Sequence, residues 1–253
     1  SSSSAAAASS STNEIPFYGL PRSPKKDTRT SSLSFLQRVG VAVQSATTAF
    51  ADPTRADAVA SLGEVTGYVA LTGMREKMMS DPVGRQILLD RPVVNKDSLP
   101  IEKIMASGST SGDATFGQAY GSFLKEHGFD PDERDAVKYI EDEELAYIML
   151  RYRQCHDFWH ALTGLPPTVL GELGLKWLEL LQTGLPVAAL SATVGSLRLN
   201  SEERQILHEL YIPWAVRMSN ESEYLMNVYY EKEMDTPLEK LREKLRIEPA
   251  PEQ

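Results

Sequence analysis

The sequence predicts an all-α protein, a multi-helix single domain with a disordered N-terminal tail. From Leu33 onward, apolar residues recur at every third or fourth position, which is the spacing of an amphipathic helix. The breaks in this pattern fall at Gly and Pro, often beside capping residues such as the Asp52-Pro53 pair. No segment shows the apolar-polar alternation that predicts a strand.

The predicted helices follow one another with short connections. The first spans Leu33–Phe50 and has Arg38 as its single charged residue, so it either packs in the core or rests on a bilayer surface. The second begins at Asp52-Pro53 and runs toward Leu62. The later predicted helices are Gly67–Met79, Asp81–Asp90, Ser98–Ala106, Thr115–Glu126, Glu141 to about Thr163, Thr168 to about Thr183, a short one from Pro186, Ser201–Trp214, and Pro237 to about Leu245.

Composition divides the chain into one domain and two tails. Residues 1–32 are rich in Ser, Ala and Thr, and their basic residues outnumber the acidic ones, which indicates either the remnant of an organelle transit segment or a plain unstructured leader. We expect the helical domain over 33–247 and a C-terminal tail over 248–253.

Charge and cysteine content exclude several classes of function. The net charge of -9 would repel a phosphate backbone, so we expect no nucleic-acid partner. Neither a dinucleotide-binding G-x-G-x-x-G nor a P-loop is present. The single cysteine, Cys155, cannot form an internal disulfide and is predicted to be a packed thiol. The longest uncharged run, Leu180 to Leu197, is interrupted by Thr-Gly-Leu-Pro, so no membrane-spanning helix is predicted.

One stretch carries a candidate metal site. His156 and His160 are one turn apart on the same helix face, and Asp157 lies on the flank of that face. Gly164 and the Pro166-Pro167 pair then reverse the chain within a short connection.

The reversal brings a fourth side chain to the same height. Glu172 follows the restart of the next helix by about four residues, or roughly 6 Å, and is predicted to lie level with the histidines. Gly171 and Gly174 would let the first helix approach closely. Two imidazoles and two carboxylates suit Zn²⁺, Fe²⁺ or Mn²⁺, although a bare His-x-x-x-His also arises by chance in exposed or core positions. The chain has no Glu directly after the first histidine, where a zinc protease needs its base.

These residues resemble the signature of a known family. His-Asp-x-x-His, eleven residues and then Glu is similar to the signature of the coenzyme Q (ubiquinone) biosynthesis protein family, the Coq-four family. The likeness extends from Leu33 to Ile247 through the segments EDEELAYIMLRYRQCHDFWH, GELGLKW, LQTGLP, IPWAV, NVYYE and LREKLRI.

The resemblance implies a location, a ligand set and an activity. It implies a peripheral protein on the matrix side of the mitochondrial inner membrane, with His156, Asp157, His160 and Glu172 as ligands of a divalent metal. Zinc is the implied metal, and iron or manganese also fits the ligands. The implied activity is a lyase reaction, the metal-dependent C1 decarboxylation, oxidative or simple, of a 4-hydroxy-3-methoxy-5-polyprenylbenzoate. No catalytic residue beyond the metal ligands and no organic cofactor is predicted.

The expected partners follow from the same resemblance. They are the other ubiquinone biosynthesis enzymes in a multi-subunit complex, a polyprenylated aromatic lipid, the inner membrane surface and, as a further option, a second copy of the chain. Met149 and Tyr152 either begin a groove for the lipid tail or simply belong to the core. The alternative function is a non-catalytic scaffold of that complex, which binds prenyl lipid and uses the metal only to clasp the two helices.

Overall fold

A computed structural model describes residues 64, 66–106, 113–133 and 137–252. The predicted helices Leu33–Phe50 and Asp52–Leu62, the N-terminal tail and residues 107–112 lie outside the described residues. Within the described residues the chain is helical, without a β-strand, as the sequence predicts. The helices are α1 (Tyr68–Ser80), α2 (Pro82–Asp90), α3 (Ile101–Ala106), α4 (Phe116–His127), α5 (Glu143–Thr163), α6 (Val169–Thr183), α7 (Pro186–Gly195), α8 (Ser201–Ile206), α9 (Ile212–Glu221) and α10 (Leu238–Leu245).

Two of the predicted helix boundaries, both near a proline, differ from those in the structure. Helix α3 starts at Ile101 rather than Ser98, since Pro100 disfavours helical geometry in the residue before it and Ser98 instead closes a turn with Asn95. The helix predicted to end at Trp214 continues to Glu221 through a π-helical segment, Leu207–Tyr211. Pro213 has no N–H for the carbonyl four residues earlier, and the wider π turn accommodates that gap.

Helix α5 runs through the centre of the core. Trp159 and Phe158 are buried, and the Trp159 indole N–H donates to the Tyr230 hydroxyl at 2.9 Å. On an earlier turn of α5, the fully buried Arg151 binds the carboxylate of Glu231 and the Val228 carbonyl. These contacts fix α5 against the segment that follows α9.

The C-terminal residues complete the end of α5. The last carbonyls of a helix have no partner within it. Here the Arg242 guanidinium donates to the Leu162 carbonyl at 2.8 Å, and the Ala250 amide donates to the Thr163 carbonyl at 2.8 Å. The end of α5 that carries the two histidines is therefore held in place from outside the helix.

Candidate metal centre

Helix α5 places both histidines on one face because they are four residues apart, and both ends of this helix are well defined. The Asp142 carboxylate caps the first turn by accepting from the amides of Glu144 and Leu145, and Gly164 ends the helix in the left-handed region with φ 75°. His160 is buried, and the Phe123 ring of α4 stacks on its imidazole with centroids 5.1 Å apart. His156 lies one turn earlier and is partly exposed.

Helix α6 brings Glu172 to the histidines. The Thr168 hydroxyl caps this helix by accepting from the Gly171 amide, as the sequence predicts. A Cβ at position 171 would lie 2.1 Å from the Pro166 carbonyl oxygen, so the turn between the helices requires glycine there. The contacts of α5 residues 156 and 160 with α6 residues 179 and 172 run in opposite chain order, as in an antiparallel pair.

The glycines of α6 do not serve the purpose expected from the sequence. The sequence favours a close approach of α5 at these glycines, but in the structure Gly171 faces the Pro166 turn and Gly174 faces Tyr211. A Cβ at position 174 would lie 2.8 Å from a Tyr211 ring carbon. The reason is that α5 and α6 meet through long side chains at the candidate site, whereas the π-helical segment packs directly on α6.

The ligand atoms of three side chains converge on one point. His160 Nε2 lies 3.2 Å from His156 Nε2 and 3.1 Å from Glu172 Oε1, and His156 Nε2 lies 3.3 Å from Glu172 Oε2. His156, His160 and Glu172 form the described group that could hold a metal ion, with ligand atoms within 4.8 Å of one another. A metal with bonds of about 2.1 Å keeps its ligand atoms about 3.0 to 3.4 Å apart, so the donor set and its spacing both fit.

Both imidazoles are oriented through their second nitrogen. His160 Nδ1 lies 2.8 Å from the Leu165 carbonyl oxygen, which only accepts, so Nδ1 carries the proton and Nε2 faces the group. His156 Nδ1 lies 2.6 Å from Glu179 Oε1. Such outer hydrogen bonds fix the ring orientation and the tautomer of metal-binding histidines.

The electrostatics keep both carboxylates ionised. Burial raises the pKa of Glu172, but His156 and His160 outweigh it and hold that pKa well below its usual value. Burial likewise opposes ionisation of Glu179, yet Lys176 and His156 lower its pKa to about 2. For His156, burial and Lys176 lower the pKa, while Glu172 and Glu179 raise it to about 9. Without a metal, the two carboxylates therefore stabilise the protonated form of His156 and, together, balance the charges of His156 and Lys176.

Asp157 and Cys155 lie outside this group of ligand atoms. Asp157 is buried on α5 but is not a member of the group, so its assignment as a ligand stays a prediction. Cys155 is a buried free thiol, as predicted, and its pKa is raised to about 12, chiefly by burial. Met149 and Tyr152 are both buried and belong to the core.

The sequence analysis did not identify the residues that contact Nδ1 of His156. Glu179 is fully buried and accepts from the Tyr152 hydroxyl and from Lys176 Nζ at 2.8 Å, in addition to its contact with His156. A signal was available, because Glu172, Lys176 and Glu179 follow one another at four and three residues and so share a face of α6. A buried charged residue among the leucines of this helix needs partners, and those of Glu179 are Lys176, Tyr152 and His156.

Comparisons with known proteins agree with these observations. A family profile described as coenzyme Q (ubiquinone) biosynthesis protein Coq4 matches residues 28–251. The chain is 43% identical over 238 residues to an Aspergillus niger protein named ubiquinone biosynthesis protein coq4, mitochondrial. The aligned region covers 94% of this chain and 80% of the relative. It is 43% identical over 218 residues to a Bos taurus protein named ubiquinone biosynthesis protein COQ4 homolog, mitochondrial, which covers 86% of this chain and 81% of the relative.

A solved structure shares the fold. The crystal structure of a candidate ubiquinone biosynthesis protein from Nostoc punctiforme superposes with a TM-score of 0.62, covering 82% of this chain and 95% of that chain. At 17% sequence identity, this likeness concerns the fold alone. Among the described residues, no helix is both long and apolar enough to cross a membrane.

Proposed function

Because the chain belongs to the coenzyme Q (ubiquinone) biosynthesis protein Coq4 family, and its role therefore lies in ubiquinone biosynthesis, we propose that it is a metal-dependent lyase of that pathway. The proposed substrate is a 4-hydroxy-3-methoxy-5-polyprenylbenzoate, which loses its C1 carboxyl group. The observation that carries the proposal is the converging group of His156, His160 and Glu172. Three protein ligands with a further position free are typical of catalytic zinc sites, whereas structural sites are closed by four.

The exposure of the group favours access to a substrate. The His160 side chain is 1% exposed, His156 13% and Glu172 35%, so the group is reached from the side of Glu172. We propose that these three residues hold a divalent metal, with zinc as the first candidate and iron or manganese as alternatives. Asp157 remains a proposed fourth ligand. The lyase requires that the metal keep a free position whether or not Asp157 binds it, whereas a four-coordinate site closed by Asp157 would favour a structural metal.

The charges at the site suit an anionic substrate. Lys176 and Glu179 form an ion pair, so their charges cancel, and a divalent metal beside Glu172 leaves one net positive charge. A bound metal would supply a Lewis acid that stabilises negative charge developing on a carboxylate or phenolate oxygen. The protein's own contribution is to hold the ligands in place and to keep both histidines presenting Nε2.

The proposed reaction balances in two forms. In the simple form, C1 gains a proton and the carboxylate leaves as carbon dioxide. In the oxidative form, the para-hydroxybenzoate and one dioxygen give the para-quinone, carbon dioxide and water, so dioxygen accepts all the electrons that the ring gives up. The phenol para to the carboxyl assists both forms, because its deprotonation increases electron density at C1.

We further propose a mitochondrial location, by analogy with the names of the relatives. The chain would bind peripherally to the matrix side of the inner membrane, where its polyprenylated substrate resides. There it would work with other ubiquinone biosynthesis enzymes in a multi-subunit complex.

The deciding experiment measures carbon dioxide release from a short-chain analogue of the precursor. Purified protein is loaded with Zn²⁺, Fe²⁺ or Mn²⁺ and incubated under air, with Glu172→Gln as the inactive variant and Glu64→Gln as the control. Glu64 is a buried carboxylate that binds Arg153 and is not part of the metal group. We expect release by the wild type and by Glu64→Gln, and none by Glu172→Gln. No release with any of the three metals would refute the lyase and favour the lipid-binding scaffold.

A further inference from the structure

Three polar side chains form one hydrogen-bonded group that reaches Nδ1 of the His156 ring through Glu179. They are Tyr152 on α5 and Lys176 and Glu179 on α6, and we name them the Glu179 cluster. The Glu179 side chain has no exposed surface, and its carboxylate has three neighbours that can donate to it: the Tyr152 hydroxyl, Lys176 Nζ and His156 Nδ1. So many donors on one buried carboxylate fix its position closely.

Two members of the cluster compete for the same nitrogen. Glu179 Oε1 lies 2.6 Å from His156 Nδ1, and Lys176 Nζ lies 3.3 Å from it. An ammonium group only donates, and a carboxylate only accepts. If Nδ1 accepted from Lys176, the neutral ring would carry its proton on Nε2 and could not bind a metal there. If Nδ1–H donates to Glu179, Nε2 is free for the metal.

We propose that Glu179 is a positioning residue that keeps His156 in the Nδ1–H tautomer and, by binding Lys176, prevents the ammonium from imposing the opposite one. The shorter distance to Glu179 supports this, as do the Lys176 Nζ distances of 2.8 Å and 3.0 Å to the two Glu179 oxygens. The inference rests on the proposed function in one respect, because it takes His156, His160 and Glu172 as the ligands of a metal.

The two histidines thus depend on different kinds of partner. His160 is oriented by the main-chain carbonyl of Leu165, which no side-chain substitution removes. His156 is oriented by a side chain, so its tautomer responds to mutation. The metal affinity should therefore be sensitive to Glu179, although Glu179 is not itself a member of the ligand group.

The test compares zinc affinity by chelator competition in four proteins: the wild type, Glu179→Gln, the double variant Glu179→Gln/Lys176→Met, and Glu64→Gln. Loss of a hydrogen-bond partner behind a metal-binding histidine lowers metal affinity about 10- to 100-fold, and we expect a loss of this size for Glu179→Gln. Removing Lys176 as well should restore part of the affinity, because the competing donor is gone. Glu64→Gln should bind zinc as the wild type does.

A spectroscopic measurement separates positioning from general damage. In the zinc-loaded wild type, the His156 Nδ1–H should give a slowly exchanging ¹H–¹⁵N resonance, which should shift or disappear in Glu179→Gln while the His160 resonance stays. If Glu179→Gln does not fold, Tyr152→Phe removes one donor from the same carboxylate and should cause a smaller loss of affinity with the same resonance affected.

The outcomes distinguish this inference from the proposed function. A wild-type protein that binds no zinc contradicts the metal site itself. Zinc binding by the wild type with an equal affinity in Glu179→Gln overturns the role of Glu179 alone. A double variant weaker than Glu179→Gln also overturns it, because competition from Lys176 predicts recovery.

Discussion

Removing one partner of the buried pair of Arg151 and Glu231 should strongly destabilise the protein around the helix that carries both histidines. The Arg151 side chain is fully buried, the Glu231 side chain is 12% exposed, and the guanidinium also binds the Val228 carbonyl. Glu231→Gln leaves the Arg151 guanidinium buried without a counter-charge. Breaking a buried pair in this way costs about 3–5 kcal/mol, and the amide retains one acceptor, so we expect about 3 kcal/mol.

For a chain of this length, 1 kcal/mol corresponds to about 2–4 °C in melting temperature, so Glu231→Gln should melt about 6–12 °C below the wild type. Circular dichroism on heating, with urea unfolding as a second measure, checks the value. The double variant Arg151→Met/Glu231→Gln removes the stranded charge and should recover part of the loss. A wild-type melting temperature for Glu231→Gln, or a double variant less stable than the single one, would show that the buried Arg151 does not depend on Glu231 as its counter-charge.

Three further predictions concern the metal and the packing of α6. Zinc at 100 times its dissociation constant should stabilise the wild type by about 2.7 kcal/mol, which raises its melting temperature by about 5–11 °C. Glu172→Gln should show no such rise at the same zinc concentration. Scanning fluorimetry with and without chelator measures the rise, and an equal rise in the two proteins, or none in the wild type, would contradict the site. Glu172→Gln should weaken zinc binding more than Asp157→Asn, because only Glu172 belongs to the converging group, and calorimetric titration giving the reverse order would contradict this. Gly174→Ala should destabilise the protein, because the added Cβ would lie 2.8 Å from the Tyr211 ring. Gly73→Ala should stabilise it by about 0.5–1 kcal/mol, because nothing lies within 4 Å of the added Cβ. Urea unfolding measures both changes in the free energy of unfolding, and changes of the same sign would contradict the packing described.

The sequence sufficed for the helices around the site because their boundaries depend on local signals. Asp142 and Thr168 cap α5 and α6, and Gly164 and Gly184 end them with positive φ. A helical spacing of four residues also determines that His156 and His160 share a face. The height of Glu172 followed from the short turn, and the 3.1 Å distance to His160 agrees with it.

What the sequence did not reveal depends on contacts between distant segments. The π turn before Ile212 follows from Pro213, whose missing N–H already indicates in the sequence that the regular helix is interrupted there. The partner of Gly174 is Tyr211, which lies on another helix and has no local signature. Glu179 lies outside the His-Asp-x-x-His…Glu signature, although its position two turns after Glu172 places both on one face of α6.

Anomalous X-ray scattering from crystals of the zinc-loaded protein would show whether His156, His160 and Glu172 build an open metal centre. We expect one peak within about 2.2 Å of His156 Nε2, His160 Nε2 and a Glu172 carboxylate oxygen, with a remaining position taken by water or substrate. A peak elsewhere, or one closed by Asp157 as a fourth protein ligand with no free position, would contradict it.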